Sequence, residues 1–275
     1  MFIGADAMNM RGAKTSGRHA PRALPRPSVI ALLEPLFRGE LAPIGERLVC
    51  APEVPCEALR VSDLVKSEAL LADVLNRHAA VHRVTDGDLR AVASAWSLEY
   101  LSVLLPPLVA GASVFHHGFP AAASQMWVRF DGRGEPVDFH VRELGVPQHG
   151  ADTAQRYAPL LWQHLSPLFS AIARLTRIAP KILWGNAARI LEPILDRGVA
   201  LTGGVASLVR DREHLLHAAT WAHGAANPLH GRQREVVRPQ DGRAVRVKLH
   251  RQCCLNHLLP GEGYCSICPL APQHR

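Results

Sequence analysis

A chain of 275 residues and 30.0 kDa is long enough to bury a proper core in one large domain or two modest ones. Hydrophobic residues at 48% and charged residues at 20% exclude disorder for most of it, and six cysteines are too few for a disulfide-built scaffold. The net charge of +7 points equally to nucleic acid, a membrane surface or an acidic protein and chooses none of them.

The charge is unevenly spread. Residues 1–30 carry +4, residues 31–209 carry −2 and residues 210–275 carry +5. Residues 1–27 read as a disordered basic tail. Asp6, Asn9 and Arg11 interrupt the apolar stretch that a signal peptide needs, and no adjacent arginine pair marks an export signal. A cytoplasmic location is expected. The longest apolar run, 101–115, is too short to span a bilayer and contains Pro106 and Pro107, so no transmembrane segment is expected. Peripheral membrane contact through the basic tail stays open.

In chain order, residues 28–38 carry Ile30, Leu33 and Phe37 at helical spacing. Residues 62–80 form a stronger helix, with Ser62 as N-cap and Leu64, Leu71, Val74 and Leu75 on one face. Thr85 and Asp88 fit a capping box for a helix that runs to about Leu105, where the proline pair ends it. From 125 to 143 the period drops to two. Met126, Val128 and Phe130 oppose Trp127 and Arg129, and after a Gly-containing turn Val137, Phe139 and Val141 oppose Asp138, His140 and Arg142. That is a β-hairpin with one apolar face. The helical period returns at Tyr157 through Leu175, kinked by Pro167, then at Leu183 through Ile194, and again over 205–222 up to Gly224. Asp241-Gly242 marks a second hairpin, flanked by 234–238 and 243–250. The fold expected is α+β. It has a helix-rich domain over 28–225 with a small antiparallel sheet, and a C-terminal lobe over 226–275.

That lobe contains Cys253, Cys254, Cys265 and Cys268, a CC-x10-C-x2-C pattern with a Pro-Gly-Glu-Gly turn between the pairs. Four thiolates suit tetrahedral zinc or an iron–sulfur cluster. Adjacent residues point in different directions, so Cys253 and Cys254 chelate one ion awkwardly, a demand that a two-iron cluster relaxes. Spacing favours iron–sulfur and leaves zinc or unligated cysteines open.

The same residues resemble the C-terminal [2Fe–2S] signature of the FhuF family of ferric-siderophore reductases. Arg251 before the pair, Leu258-Leu259-Pro260-Gly261 between the pairs and Cys265-Ser266-Ile267-Cys268-Pro269 after them share in the resemblance, and Leu183-Trp184-Gly185-Asn186 does so less specifically. The helix-rich layout of 28–225 is similar to the carboxyl-terminal part of siderophore synthetases related to aerobactin synthesis. The resemblance implies a cytoplasmic ferric-siderophore reductase whose four cysteines hold a [2Fe–2S] cluster. Its partners are then a ferric siderophore, hydroxamate types included, and an electron-donor protein or reductant. One electron releases the metal, because hard oxygen donors hold Fe(III) far more tightly than Fe(II).

His250, Arg251 and His257 flank the ligands and are candidates to tune the cluster's potential. Trp127, Arg129, His140 and Trp184 are candidate walls of a siderophore cleft between the helical region and the lobe. Cys50 and Cys56 read as unligated thiols. Asp211, His214 and His217 share a helix face and read as a polar surface rather than a metal site. A zinc-stabilised, non-catalytic binding protein is the competing reading. Nucleic acid is not expected, since the basic strands carry no interleaved aromatics for stacking. No G-x4-G-K-[ST] loop offers a site for ATP-dependent synthesis.

Overall fold

The structure, a computed structural model, describes residues 28–85, 87–221, 224–231, 234–240 and 243–274. The basic tail, His223 and the Asp241-Gly242 turn lie outside the described residues. The fold is α+β, as the periodicities require, with helices packed on one face of a small sheet.

Several boundaries differ from the sequence expectation, each for a local reason. Residues 30–37 form hydrogen-bonded turns but no helix, and Leu33 is nonetheless fully buried. The helix expected over 62–80 is two helices, α2 (Val61–Lys66) and α3 (Glu68–Val81), preceded in the chain by the single turn α1 (Ala42–Gly45). Ser67 breaks the run because its hydroxyl caps the second helix, accepting from the Leu70 amide at 3.3 Å. The next helix, α4 (Leu89–Val109), is capped by Asp88, which accepts from the Arg90 amide, and not by Thr85.

The proline pair does not end α4. The helix continues to Val109 and widens into a π turn at Ala110–Val114, where the Phe115 amide reaches back to the Ala110 carbonyl. Burial outweighs the two missing amides: Trp96, Tyr100, Leu101, Leu104 and Leu105 are all sealed in the core. Leu89–Val114 is therefore long and apolar enough to cross a membrane, but 67% of its most apolar window is buried inside the fold, which fits a core helix.

The first predicted hairpin forms as read, from β4 (Trp127–Phe130) and β5 (Pro136–Val141), with Trp127 opposite His140 and Arg129 opposite Asp138. Two short strands that period alone does not mark extend it. β1 (Leu48–Cys50) pairs parallel to β5 and β2 (Leu59–Arg60) antiparallel to β4, giving the order β1-β5-β4-β2. A separate two-stranded pair joins β3 (His117–Gly118) to β6 (Val146–Pro147). The apolar face of β4 and β5 packs on α4, where Tyr100 meets Phe139 edge-on at 5.0 Å.

After the hairpin come α5 (Thr153–Leu160), a π turn at Leu161–Leu165, α6 (Ser166–Thr176), α7 (Pro180–Leu201) and α8 (Ala206–Leu216). The break expected at Pro167 is the π turn just ahead of it, and α8 stops at Leu216, short of Gly224. The second hairpin is β7 (Glu235–Gln240) with β8 (Arg243–Lys248). Asn186 of α7 ties that helix to α4, its amide donating to the Ser94 carbonyl and to the hydroxyls of Ser94 and Ser97.

His164 sits fully buried in the second π turn. Its Nδ1 faces the Ala121 carbonyl at 2.9 Å and so carries the proton, leaving Nε2 to accept from the Tyr100 hydroxyl at 2.7 Å. Burial holds its pKa down at about 4, and burial together with the neighbouring His82 puts His78 at about 4 as well. Both histidines fold neutral, while the unfolded chain takes up protons from about pH 6.5 downward. Their contribution is therefore complete above that pH and is lost as pH falls toward 4. The urea midpoint should drop between pH 7 and pH 4.5, and His164→Gln should lower the midpoint at pH 7 while flattening that slope. An unchanged slope in the variant would remove His164 as its source.

Candidate functional site

The cysteine segment has little regular structure of its own and depends on α7 for its position. Three residues of α7 on one helical stripe meet it, spaced four and then three apart. Gly185 lies against Gln252, so closely that a Cβ would stand 2.6 Å from Gln252 Cβ. Arg189 Nη2 donates to the Gln252 carbonyl at 2.9 Å. Glu192 receives Lys248 at 2.6 Å and Arg251 at 2.9 Å. Burial pushes the Glu192 carboxyl up, and these two cations bring it below its usual range. Arg251 also donates to the Leu216 carbonyl at 3.3 Å. On the other side Leu259 packs with Ala79, Ala91 and Val92 of α3 and α4.

Of the four cysteines expected as ligands, Cys253 and Cys268 meet within this segment and Cys265 packs against them. Cys253, Cys254 and Cys268 are buried, and Cys265 is half-buried. All six cysteines of the chain are free thiols. Cys253 and Cys268 have their sulfurs 3.6 Å apart and share a small apolar cluster with Ala271. Two thiolates about 2.3 Å from one tetrahedral metal stand about 3.8 Å apart, so this pair is already at ligating separation. Burial pushes the Cys253 thiol up to about 11, and burial also raises Cys265, against the opposing pull of Arg189. Such thiols ionise readily only when a cation offsets the cost of burial, which is what a metal supplies. Among the described residues no three potential ligands converge as a bound metal requires. The arrangement is a close thiol pair with two further cysteines beside it. Its donor set fits a soft metal centre.

The flanking residues differ in what they do. His257 places Nδ1 3.7 Å from the Cys253 sulfur and stacks on Tyr264 at 4.3 Å. The His250 amide bonds the Ile267 carbonyl at 3.0 Å, while burial and Arg189 hold its imidazole at about 4, so it is neutral at pH 7. Arg251 is spent on Glu192. The cation that bears on Cys265 is Arg189, which no motif announced; only its position one turn after Gly185 hinted at it.

The expected siderophore wall divides in two. Trp127 lies between the guanidinium groups of Arg60 and Arg142, at 4.9 Å and 4.8 Å. Asp138 is held by Arg129 and His140: burial pushes its carboxyl up, and those partners bring it below its usual range. Trp184 instead belongs to an aromatic row, 5.0 Å from Phe169 and 6.2 Å from the exposed Trp162, which meets Trp221 at 5.8 Å. Among the described residues no hydrogen bond, ion pair or ring contact joins the hairpin face to Trp184 or to the cysteine segment. A cavity between the segment and α4, lined by Thr85, Asp88, Leu258 and Pro260, holds about 120 Å³. A drug-sized ligand needs about 300 Å³ or more.

The helix face shared by Asp211, His214 and His217 is not the polar surface expected. Asp211 is fully buried, accepts from Ser113 at 2.7 Å and Thr153 at 2.5 Å, and pairs with Arg156; His214 stands edge-on to Trp221 at 4.8 Å.

Residues 94–244, more than half of the chain, match the family described as ferric iron reductase FhuF-like transporter. Among solved structures, the chain is similar to ATP-bound aerobactin synthetase IucA from a hypervirulent pathotype of Klebsiella pneumoniae, at 16% identity and a TM-score of 0.51 over 64% of this chain and 37% of the synthetase. A second structure of aerobactin synthetase IucA from the same source aligns at 16% identity and a TM-score of 0.50, over 63% of this chain and 38% of that one. The chain thus spans little more than a third of the synthetases, and the likeness is one of fold. No curated protein matches the chain.

Glu192 joins the segment to α7 through two cations. Glu192→Gln leaves the buried Arg251 without a countercharge, at a cost of about 3 kcal/mol. Hydrogen exchange at the His250 and Cys268 amides should accelerate in this variant while that of α4 stays unchanged. Equal protection in both proteins would show that the segment is held by other contacts.

Proposed function

The chain belongs to the FhuF-like ferric iron reductase family, which acts in siderophore-iron handling and reduction, and from that premise we propose that it is a cytoplasmic ferric-siderophore reductase using a [2Fe–2S] cluster. The observation that carries the proposal is the buried pair Cys253 and Cys268, 3.6 Å apart with Cys254 and Cys265 beside it, in a chain of this family. Cys253, Cys254, Cys265 and Cys268 would hold the cluster, which when bound supplies electrons one at a time.

The protein's own residues then have limited tasks. Cys253, Cys254 and Cys268 keep water from the ligating sulfurs by their burial, and the Leu255 amide donates to the Cys253 sulfur at 3.3 Å, a contact that stabilises negative charge there. His257 lies close enough to the same sulfur to add a second donor. Trp162 and Trp184 offer an aromatic surface next to Gly185 for the ferric siderophore, whose iron is the substrate. No nucleophile or general base is required, because Fe(III) gains one electron and its oxygen donors then hold it weakly. Six free thiols suit a reducing compartment. The electron donor is a one-electron carrier or reductant outside the chain.

Purified protein should be red-brown, with visible absorption that bleaches on reduction and returns when a ferric hydroxamate siderophore is added, in step with Fe(II) capture by a chelator. Cys→Ser at 253, 254, 265 or 268 should abolish that absorption, while Cys50→Ser and Cys56→Ser should leave it. A colourless, zinc-loaded protein would overturn the proposal in favour of a zinc-stabilised binding module.

A further inference from the structure

Among the described residues no carboxylate pairs with Arg189. Glu192, one turn further along α7, is already shared by Lys248 and Arg251. Arg189 commits one Nη2 hydrogen to the Gln252 carbonyl, immediately before Cys253, and its Nε is buried without a partner. It is close enough to Cys265 to oppose the upward push of burial on that thiol, and it also bears on His250. A half-buried guanidinium left unneutralised is costly unless negative charge gathers beside it. Cys265, once ionised, would place such charge beside it.

We infer that Arg189 is the fixed countercharge of the cysteine site, a positioning residue that anchors Gln252 and favours the reduced state of the group the cysteines hold. The inference rests on the reading of those cysteines as [2Fe–2S] ligands. Four thiolates and two sulfides outweigh two ferric ions, so such a cluster is anionic and becomes more so by one charge on reduction. A nearby cation therefore stabilises the reduced state more than the oxidised one and raises the potential. Arginine suits the task because it stays charged at every working pH and its planar fork serves the carbonyl and the site at once. His250, neutral at pH 7, and Arg251, paired with Glu192, supply no such free charge.

The test is a spectroscopic redox titration with dithionite on the full-length, cluster-loaded protein. Arg189→Gln should disfavour the reduced state about tenfold, a downward shift of about 59 mV for a one-electron couple. The shift should be the same at about pH 6 and about pH 8, since no titrating group carries it. Arg189→Lys should retain most of the wild-type potential.

An unchanged or raised potential in Arg189→Gln would overturn the assignment and leave the reductase reading standing. If Arg189→Gln takes up no cluster at all, recovery of cluster absorption by Arg189→Lys supports the assignment and its failure overturns it. Wild-type protein that takes up no cluster would sink both readings together.

Discussion

The approach of the cysteine segment to α7 depends on residue 185 having no side chain. At Gly185 the backbone of the helix comes within van der Waals reach of Gln252, and only that closeness lets Arg189 touch the Gln252 carbonyl and Glu192 collect Lys248 and Arg251. The three contacts are one device. The glycine sets the distance, the guanidinium sets the register along the segment, and the shared carboxylate closes the far end. Each is modest alone, but because they fall on one stripe of a rigid helix they position a stretch of chain that has no regular structure to position itself.

That helix is itself placed by buried polar contacts as well as by its apolar face. Asn186, next to the critical glycine, has its side-chain NH2 group held by Ser94 and Ser97 of α4, which fixes how α7 is rotated about its axis. A slip in rotation would leave those donors unpaired in the core and turn Gly185 away from Gln252. The same logic recurs around the two π turns. Ser113 in the first reaches Asp211 and Tyr157, and His164 in the second reaches Tyr100 and the Ala121 carbonyl. Each widened turn presents a polar side chain to a partner that a regular helix would have left unmet.

Much of this was legible in the residues. Alternation over 125–143 identified the hairpin, because a period of two has only one way to bury an apolar row, but it did not show the register shift at Arg129–Phe130 or the burial of Asp138 and His140 on the polar face. The short strands β1 and β2 were not legible, since three and two residues are too few to show a period; they exist because the hairpin has edges to pair with. The expectation that Pro106 and Pro107 end α4 failed for a related reason. A local rule about missing amides lost to the burial of an entire helix, which no window of sequence can weigh.

The sequence by itself determined the α+β class, the family, the cysteine quartet and the basic C-terminal segment, because these are matters of residue type, spacing and count. Only the tertiary structure decided which charges stay free. Arg251 stands beside the cysteines in the chain and is neutralised in space by Glu192, whereas Arg189 is more than sixty residues away in the chain, bears on Cys265 and has no carboxylate partner among the described residues. Proximity along the chain fixes what a residue is able to meet, but whether its charge is spent depends on which carboxylate the fold brings within about 4 Å, and that is a property of packing alone.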